Sequence, residues 1–380
     1  MISQAFPLPG LGRQIHIPRT VYRMRGVILA AGFGTRLWPL TEDRTKPAIP
    51  FLNRPLISYC VGYLAEHGIR RIIINLHHQP ESIRDALGNG SHYGAEIEYS
   101  LEEQILGTSG ALDRVRDKLS DDDFVVMNGK IITAMNLGPA IEHHRVSNAL
   151  ATLVLRPNPA RERFSIVDVD TRGWITGFGP HPQPVAPGAE PGEPGAGDPQ
   201  LAAPEHANSP GIAPTSSVER DQVAPLMFTG IQILSPRIFD YIPLNVFSHS
   251  TVHVYPRAIE AGEPVVAFVS DADWYEMSTL SRYLDASLAL QHRTCGSQAN
   301  RGLVLGRECA IMPGAEVTES ILWDRVVVEA GARVRRSIIG DGVRIPSGSN
   351  ISRAVVVRRE RVRDLDRATV VGDNLIAPID

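Results

Sequence analysis

Two cations and a cluster of glycines near the start of the chain have the types and spacing for phosphate chemistry. The string Gly32-Phe33-Gly34-Thr35-Arg36 is followed ten residues later by Lys46-Pro47. Glycines let a backbone turn tightly and present successive N–H groups to an anion. Arg36 adds a guanidinium fork suited to phosphate oxygens, and Lys46 a compact charge on a flexible stem. Pro47 restricts the backbone beside it. Cations flanking a nest of amides make a site for a polyphosphate.

The elements that must position these residues are readable around them. Val27-Ile28-Leu29-Ala30-Ala31 is a short apolar run of the kind that forms a buried strand, so the glycine turn begins at its carboxyl end. Residues 56–66 show helical apolar spacing and stop at His67-Gly68, a suitable cap. Strand-like runs at 72–76, 95–101, 124–127 and 151–156 alternate with helical stretches at 80–87 and 137–145. That alternation predicts an α/β, Rossmann-like, mainly parallel sheet covered on both faces. Ligands of such sheets bind beyond the carboxyl ends of the strands, where the glycine turn sits. Residues 164–168 and 174–178 then read as a hairpin, 227–231 as a strand, and 235–243 and 281–292 as helices.

Composition narrows the function classes. The chain has 380 residues, 38 Lys and Arg against 42 Asp and Glu, and a net charge of −4, which gives nucleic acid no reason to bind. Cys60, Cys295 and Cys309 are odd in number and widely spaced, forming neither a disulfide framework nor a metal knuckle. A reducing cytosol is the expected compartment. No apolar run approaches the ~20 residues that a membrane helix needs. Residues 1–23 carry prolines and no periodicity, and read as an extension. Residues 182–224 are rich in Pro, Gly and Ala, hold few large aliphatic side chains, and read as an excursion without regular structure.

Other phosphate motifs do not fit. There is no G-x-x-x-x-G-K-[ST], and G-x-G-x-x-G fails because Leu37 holds the third glycine position. The order strand, G-x-G-T-R, then K-P resembles the signature of the sugar-1-phosphate nucleotidyltransferases, or NDP-sugar pyrophosphorylases. The resemblance runs from Met24 to the end of the chain with one insertion. It implies a nucleotidyltransferase domain over 24–292. On this likeness Leu29, Ala30, Gly32, Gly34, Thr35, Gly107 and Thr108 are expected to hold the nucleotide, and Arg36 and Lys46 to neutralise its phosphates. Gly107 and Thr108 lie in EEQILGTSG at 102–110, similar to the family's base-contacting L-G-T-[AS]-G loop; the same letters also suit an ordinary capped helix start. Gly129 and the Thr229-Gly230 pair, in a stretch like the family's F-T-G-I strand, would line the sugar phosphate.

Three positions depart from the family's pattern. Asn128-Gly129-Lys130 stands where the family has N-G-D, whose aspartate holds a catalytic magnesium. Phe178-Gly179-Pro180-His181-Pro182 replaces F-x-E-K-P, so the phosphate-gripping lysine is missing. Glu276 stands for the second metal-binding aspartate. An ammonium carries donors only and cannot ligate a metal while protonated. Lys130 is therefore expected to pair with Glu276 in the empty site and to swing to the phosphates when substrate binds. Magnesium would arrive on the nucleoside triphosphate, with Glu276 the only protein ligand left.

The tail changes texture. Gly314-Ala-Glu-Val317, Gly331-Ala-Arg-Val334 and Gly348-Ser-Asn-Ile351 recur every 17 residues, the mark of a β-solenoid. Residues 300–380 resemble the left-handed, hexapeptide-repeat β-helix of GDP-mannose and ADP-glucose pyrophosphorylases, which implies a homo-oligomer assembled through it. Val317, Val334 and Ile351 are expected in one inward column. No His follows residue 293 to serve as the base of an acyltransferase built on such coils. Two functions stay open: joining a sugar 1-phosphate to a nucleoside triphosphate, or a catalytically impaired homologue that binds a nucleotide sugar and regulates a partner. The base and the sugar are not readable from the residues.

Overall fold

The computed structural model describes residues 24–179, 224–295 and 302–379. The extension at 1–23, His181 and nearly all of the 182–224 stretch lie outside the described residues.

A nine-stranded sheet forms the first body. Its strands are β1 (Gly26–Leu29), β2 (Arg71–Leu76), β3 (Glu96–Leu101), β4 (Phe124–Asn128), β6 (Ala151–Pro157), β7 (Ile166–Val169), β8 (Ile175–Gly179), β9 (Leu226–Leu234) and β10 (Val265–Val269). The order is β8-β7-β9-β4-β1-β2-β3, with β6 beside β9 and β10 beside β6. A short ladder outside this sheet pairs β5 (Ile131–Thr133) with β11 (Trp274–Glu276).

The strands β4, β1, β2 and β3 run parallel, as the strand–helix alternation requires. β9 runs antiparallel to β4, β6 and β7, so the sheet as a whole is mixed. The reversal begins where β7 and β8 follow one another as a hairpin with no helix between them. A hairpin connection can only make an antiparallel pair.

Side chains alternate across the parallel block, and helices cover both faces. Ile28, Ile72, Ile74, Val125 and Met127 pack with Ile57, Val61 and Leu64 of α1 (Leu56–Glu66), Ile83 of α2 (Pro80–Leu87) and Ile141 of α4 (Gly138–Val146). Val27, Ile73 and Val126 face the other way, onto Leu112 of α3 (Gly107–Asp113) and Tyr255 of α5 (Tyr255–Glu260). Period-two alternation between two apolar layers is what buries a parallel strand on both sides. The helix expected over 235–243 is a single 3₁₀ turn, Pro236–Asp240, and the 281–292 helix is α6, Leu280–Cys295.

The tail is a stack of parallel coils closed by two antiparallel strands. Ala310 pairs with Val327 and Val327 with Arg344, while Val317 pairs with Val334 and Val334 with Ile351, each step advancing 17 residues. Val317 and Val334 are buried as expected, whereas Ile351 is half-buried. Ser320 and Ser337 form an internal ladder: the Ser320 hydroxyl accepts from Ser337 N and the Ser337 hydroxyl from Ala354 N. Asn374–Pro378 runs antiparallel along Ala354–Arg358 and caps the stack.

The stack docks against the back of the glycine turn. Leu37, Leu40, Ile49 and Phe51 share one apolar cluster with Tyr283 of α6 and with Val304, Ile321, Trp323, Ile338 and Val355 of the coils. Polar contacts seal the junction. Tyr283 donates its hydroxyl hydrogen to the Pro50 carbonyl and accepts from Trp323 Nε1 at 3.0 Å. Arg44 stacks over Trp323 and pairs with Asp341 at 2.7 Å. No helix among the described residues is long and apolar enough to cross a membrane.

Candidate functional site

The carboxyl end of β1 opens directly into the cation-bearing turn. After Leu29 the chain passes Gly32 and Gly34, then closes a 3₁₀ turn at Thr35–Leu37. Gly34 has φ of +72°, and a Cβ there would lie 2.9 Å from Lys46 Cβ. Only a glycine combines that backbone with so close an approach. The two cationic segments are thus packed on each other at this point. Lys46 starts its own 3₁₀ turn, Lys46–Ala48, whose preceding residue Thr45 is tied by N–H···Oγ to Ser82.

A cleft of about 280 Å³ lies over this turn. Its walls hold Leu29, Ala30, Gly32, Gly34, Thr35, Arg36 and Lys46 from the first motif. Gly107 and Thr108 come from the start of α3, and Gly129 and Lys130 from the turn after β4. All the residues singled out from the sequence meet here except Thr229, Gly230 and Glu276. The hydroxyl of Thr229 donates inward to the Val154 carbonyl at 2.8 Å, and Gly230 abuts the Asn128 side chain.

Lys130 and Glu276 form an ion pair, Nζ to Oε1. The β5–β11 ladder brings them together: Ile131 is opposite Glu276, and Met277 N donates to the Lys130 carbonyl at 3.0 Å. Burial works to raise the Glu276 carboxyl, yet the Lys130 ammonium, helped by Ser278 and Lys46, holds it below the ordinary glutamate value. Lys130 lines the first cleft. Glu276 lines a second, of about 480 Å³, with Arg156, Trp274, Tyr275 and Arg282. The pair stands between the two.

A magnesium site built on these side chains does not fit. One member of the pair is a donor-only ammonium, which repels a dication. Among the described residues no group of three or more His, Cys, Asp or Glu side chains could hold a metal ion.

Three cleft residues carried no marked role in the sequence. Asn75 sits at the carboxyl end of β2, accepts from Ala30 N at 2.6 Å and donates to Glu102 Oε1 at 2.7 Å. Glu102, just past β3, also accepts from Leu106 N through Oε2 at 3.0 Å. Burial pushes its carboxyl above the ordinary value, against the lowering effect of those hydrogen bonds. His249 enters from a segment whose Ser248 carbonyl accepts from Ser109 N at 3.1 Å. Gly107 has φ of +76°, and a Cβ there would lie 2.4 Å from that same carbonyl oxygen. None of the three carries a local signal in the sequence; Asn75 lies inside the apolar run 72–76, which reads simply as a strand.

Known proteins resemble this chain in sequence and in fold. A UTP–glucose-1-phosphate uridylyltransferase from Synechocystis sp. is 28% identical over 329 residues, covering 80% of this chain and 72% of the relative. A mannose-1-phosphate guanylyltransferase from Mycobacterium tuberculosis is 26% identical over 332 residues, covering 81% and 82%. The crystal structure of HddC from Yersinia pseudotuberculosis has the same fold, with a TM-score of 0.54 at 20% identity, covering 70% of this chain and 98% of that one. The model for a GlmU-like, C-terminal hexapeptide matches residues 284–375, over the coils. The nucleotidyl transferase model matches residues 25–293, and the chain belongs to that family.

Proposed function

We propose that this protein joins a sugar 1-phosphate to a nucleoside triphosphate and releases pyrophosphate. An oxygen of the sugar phosphate attacks the α-phosphorus in line; the new P–O bond forms as the bond from the α-phosphorus to the bridging oxygen breaks, and pyrophosphate leaves. There is no covalent work for the protein in such a step, so its contribution is positioning and charge. The triphosphate lies along the amides of Gly32 to Thr35, with Arg36 and Lys46 opposing its charge. The sugar lies beyond Gly129, towards the second cleft, whose aromatic and charged walls suit a polar ring. Lys130 swings from Glu276 to the reacting phosphates. Magnesium comes with the triphosphate, and a homo-oligomer forms through the coils.

The observation that carries this reading is the convergence of Arg36, Lys46 and Lys130 on one cleft at the carboxyl ends of parallel strands. A second reading, a regulatory homologue that binds a nucleotide sugar without turnover, is favoured by one observation, the ammonium of Lys130 where two carboxylates would hold a metal. Pyrophosphate release measured across a panel of triphosphates and sugar 1-phosphates separates them. Turnover with any pair supports the enzyme. A chain that binds nucleotide sugars and turns nothing over supports the second.

A further inference from the structure

The second cleft is walled by charged side chains, and its ion pairs leave one cation over. Its carboxylates are Glu162, Glu276 and Asp285, and each already holds a cation: Arg282 at 2.6 Å, Lys130, and Arg336 at 2.8 Å. Arg156, near the end of β6, lines the same wall and pairs with no carboxylate among the described residues. It is half-buried. Its guanidinium stands 5.6 Å from the Trp274 ring centroid, and Nη1 donates to the Trp274 carbonyl at 3.2 Å. Nε is buried and has no partner among the described residues. The edge made by Nε and Nη2 is the one that takes a carboxylate side-on, as Arg44 does with Asp43. In Arg156 that edge is unfilled.

A guanidinium drawn partly out of water costs free energy until an oxyanion completes it. Its planar fork matches the oxygens of a carboxylate or a phosphate two at a time. The reacting phosphates do not supply that oxyanion. They meet Arg36, Lys46 and Lys130 in the first cleft, which Arg156 does not line. Glu276, between the clefts, is lowered by Lys46 as well as by Lys130, so it keeps a cation when Lys130 moves. A sugar whose anomeric phosphate sits at Lys130 and whose ring crosses into the second cleft brings its far end, the C6 substituent, to the Arg156 wall. We infer that Arg156 reads a second oxyanion on the sugar, so that the substrate class is a hexose 1-phosphate with a carboxylate or a phosphate at C6. Trp274 is the positioning residue, holding the guanidinium by its ring and its carbonyl. The inference rests on the nucleotidyl-transfer reading for where the sugar lies.

Glucose, galactose and mannose 1-phosphates, each beside its C6 carboxylate and its 6-phosphate, test it on the full chain. Pyrophosphate release is followed over a panel of triphosphates, and binding of each sugar phosphate by calorimetry. At least one anionic sugar is expected to exceed its neutral counterpart about tenfold to a hundredfold in kcat/KM, the range for a charge-assisted hydrogen bond. Whether the carboxylate or the 6-phosphate leads identifies the oxyanion. Arg156→Gln should bring that ratio to about one, which a merely structural role would leave unchanged. Should that variant not fold, Arg156→Lys, with the charge but no fork, should lower the same ratio several-fold. Neutral sugars preferred in every pair overturn the inference, as does a ratio that survives both substitutions. Binding that prefers the anionic sugar through Arg156, with no pyrophosphate released, refutes the transfer reading and leaves Arg156 as assigned. Turnover confined to neutral sugars does the reverse. A chain that binds no sugar phosphate refutes both.

Discussion

Changing Lys130 to Asp puts a second carboxylate opposite Glu276 and converts an ion pair into a metal-binding pair. The two side chains are 26% and 10% exposed, so the repulsion is felt at an intermediate dielectric. Two like charges about 5 Å apart at an effective dielectric of about 20 repel by roughly 3 kcal/mol. Partial exposure of position 130 reduces this to on the order of 2 kcal/mol. At about 2–4 °C per kcal/mol for a body of this size, the metal-free variant should melt roughly 4–8 °C below the wild type. Magnesium at 10 mM, for a Kd of about 1 mM, returns about 1.4 kcal/mol, or roughly 3–6 °C. The pH dependence has opposite signs in the two proteins. In the wild type Glu276 is held below its ordinary pKa, so its contribution is present above about pH 4.3 and is lost as pH falls through the lowered value. In the variant one carboxyl of the facing pair is raised, so stability present at low pH is lost as pH rises through the raised value. Thermal melts with and without magnesium, between pH 4 and 8 at constant ionic strength and without nucleotide, measure all of this. A wild type that gains as much from magnesium as the variant, or a variant that gains nothing, would refute the reasoning.

Two further substitutions test the scaffold. Val334→Asp buries an unpaired charge at a position 1% exposed in the middle coil, and should cost about 3 kcal/mol or more, read as a lower melting temperature and early proteolysis of the tail; an unchanged melt means the inward column is mis-registered. Gly107→Ala meets both the positive φ and the Ser248 carbonyl, and should cost on the order of 1–3 kcal/mol while weakening triphosphate binding; wild-type affinity would show that this junction does not shape the cleft.

Much of the fold was legible because local signals agreed. The apolar run after Gly26, the cap at His67-Gly68 and the 17-residue recurrence each announce one element by period and punctuation, and each is present. The Lys130–Glu276 contact was legible because both residues close short motifs with a known spatial relation, and the β5–β11 ladder supplies that relation. What escaped notice has no local signature. Asn75 reads as the interior of an apolar strand until the neighbouring strand ends are known. His249 belongs to a stretch without periodicity that leads into a π-helical turn, Ser250–Val254. Arg44 and Asp341 pair across 297 residues, and nothing near either one points to the other. The FTGI stretch matched by its letters, yet the Thr229 hydroxyl is spent on a strand carbonyl inside the sheet.

The junction between the coils and the glycine turn bears on how this chain can be cut or extended. Leu37, Leu40, Ile49 and Phe51 are each 1% exposed or less, and the coils are among the side chains that cover them. A truncation that removes residues 302–379 would bare this apolar face immediately behind Arg36 and Lys46, inviting aggregation and loosening both cations together. Growth inside the stack carries a cost as well. Every coil repeats the same 17-residue step, and each contributes to this cluster, through Val304, Ile321, Ile338 and Val355 in turn, so an inserted turn would displace part of the face behind the glycine turn. The length of the tail is thus tied to the body it leans on.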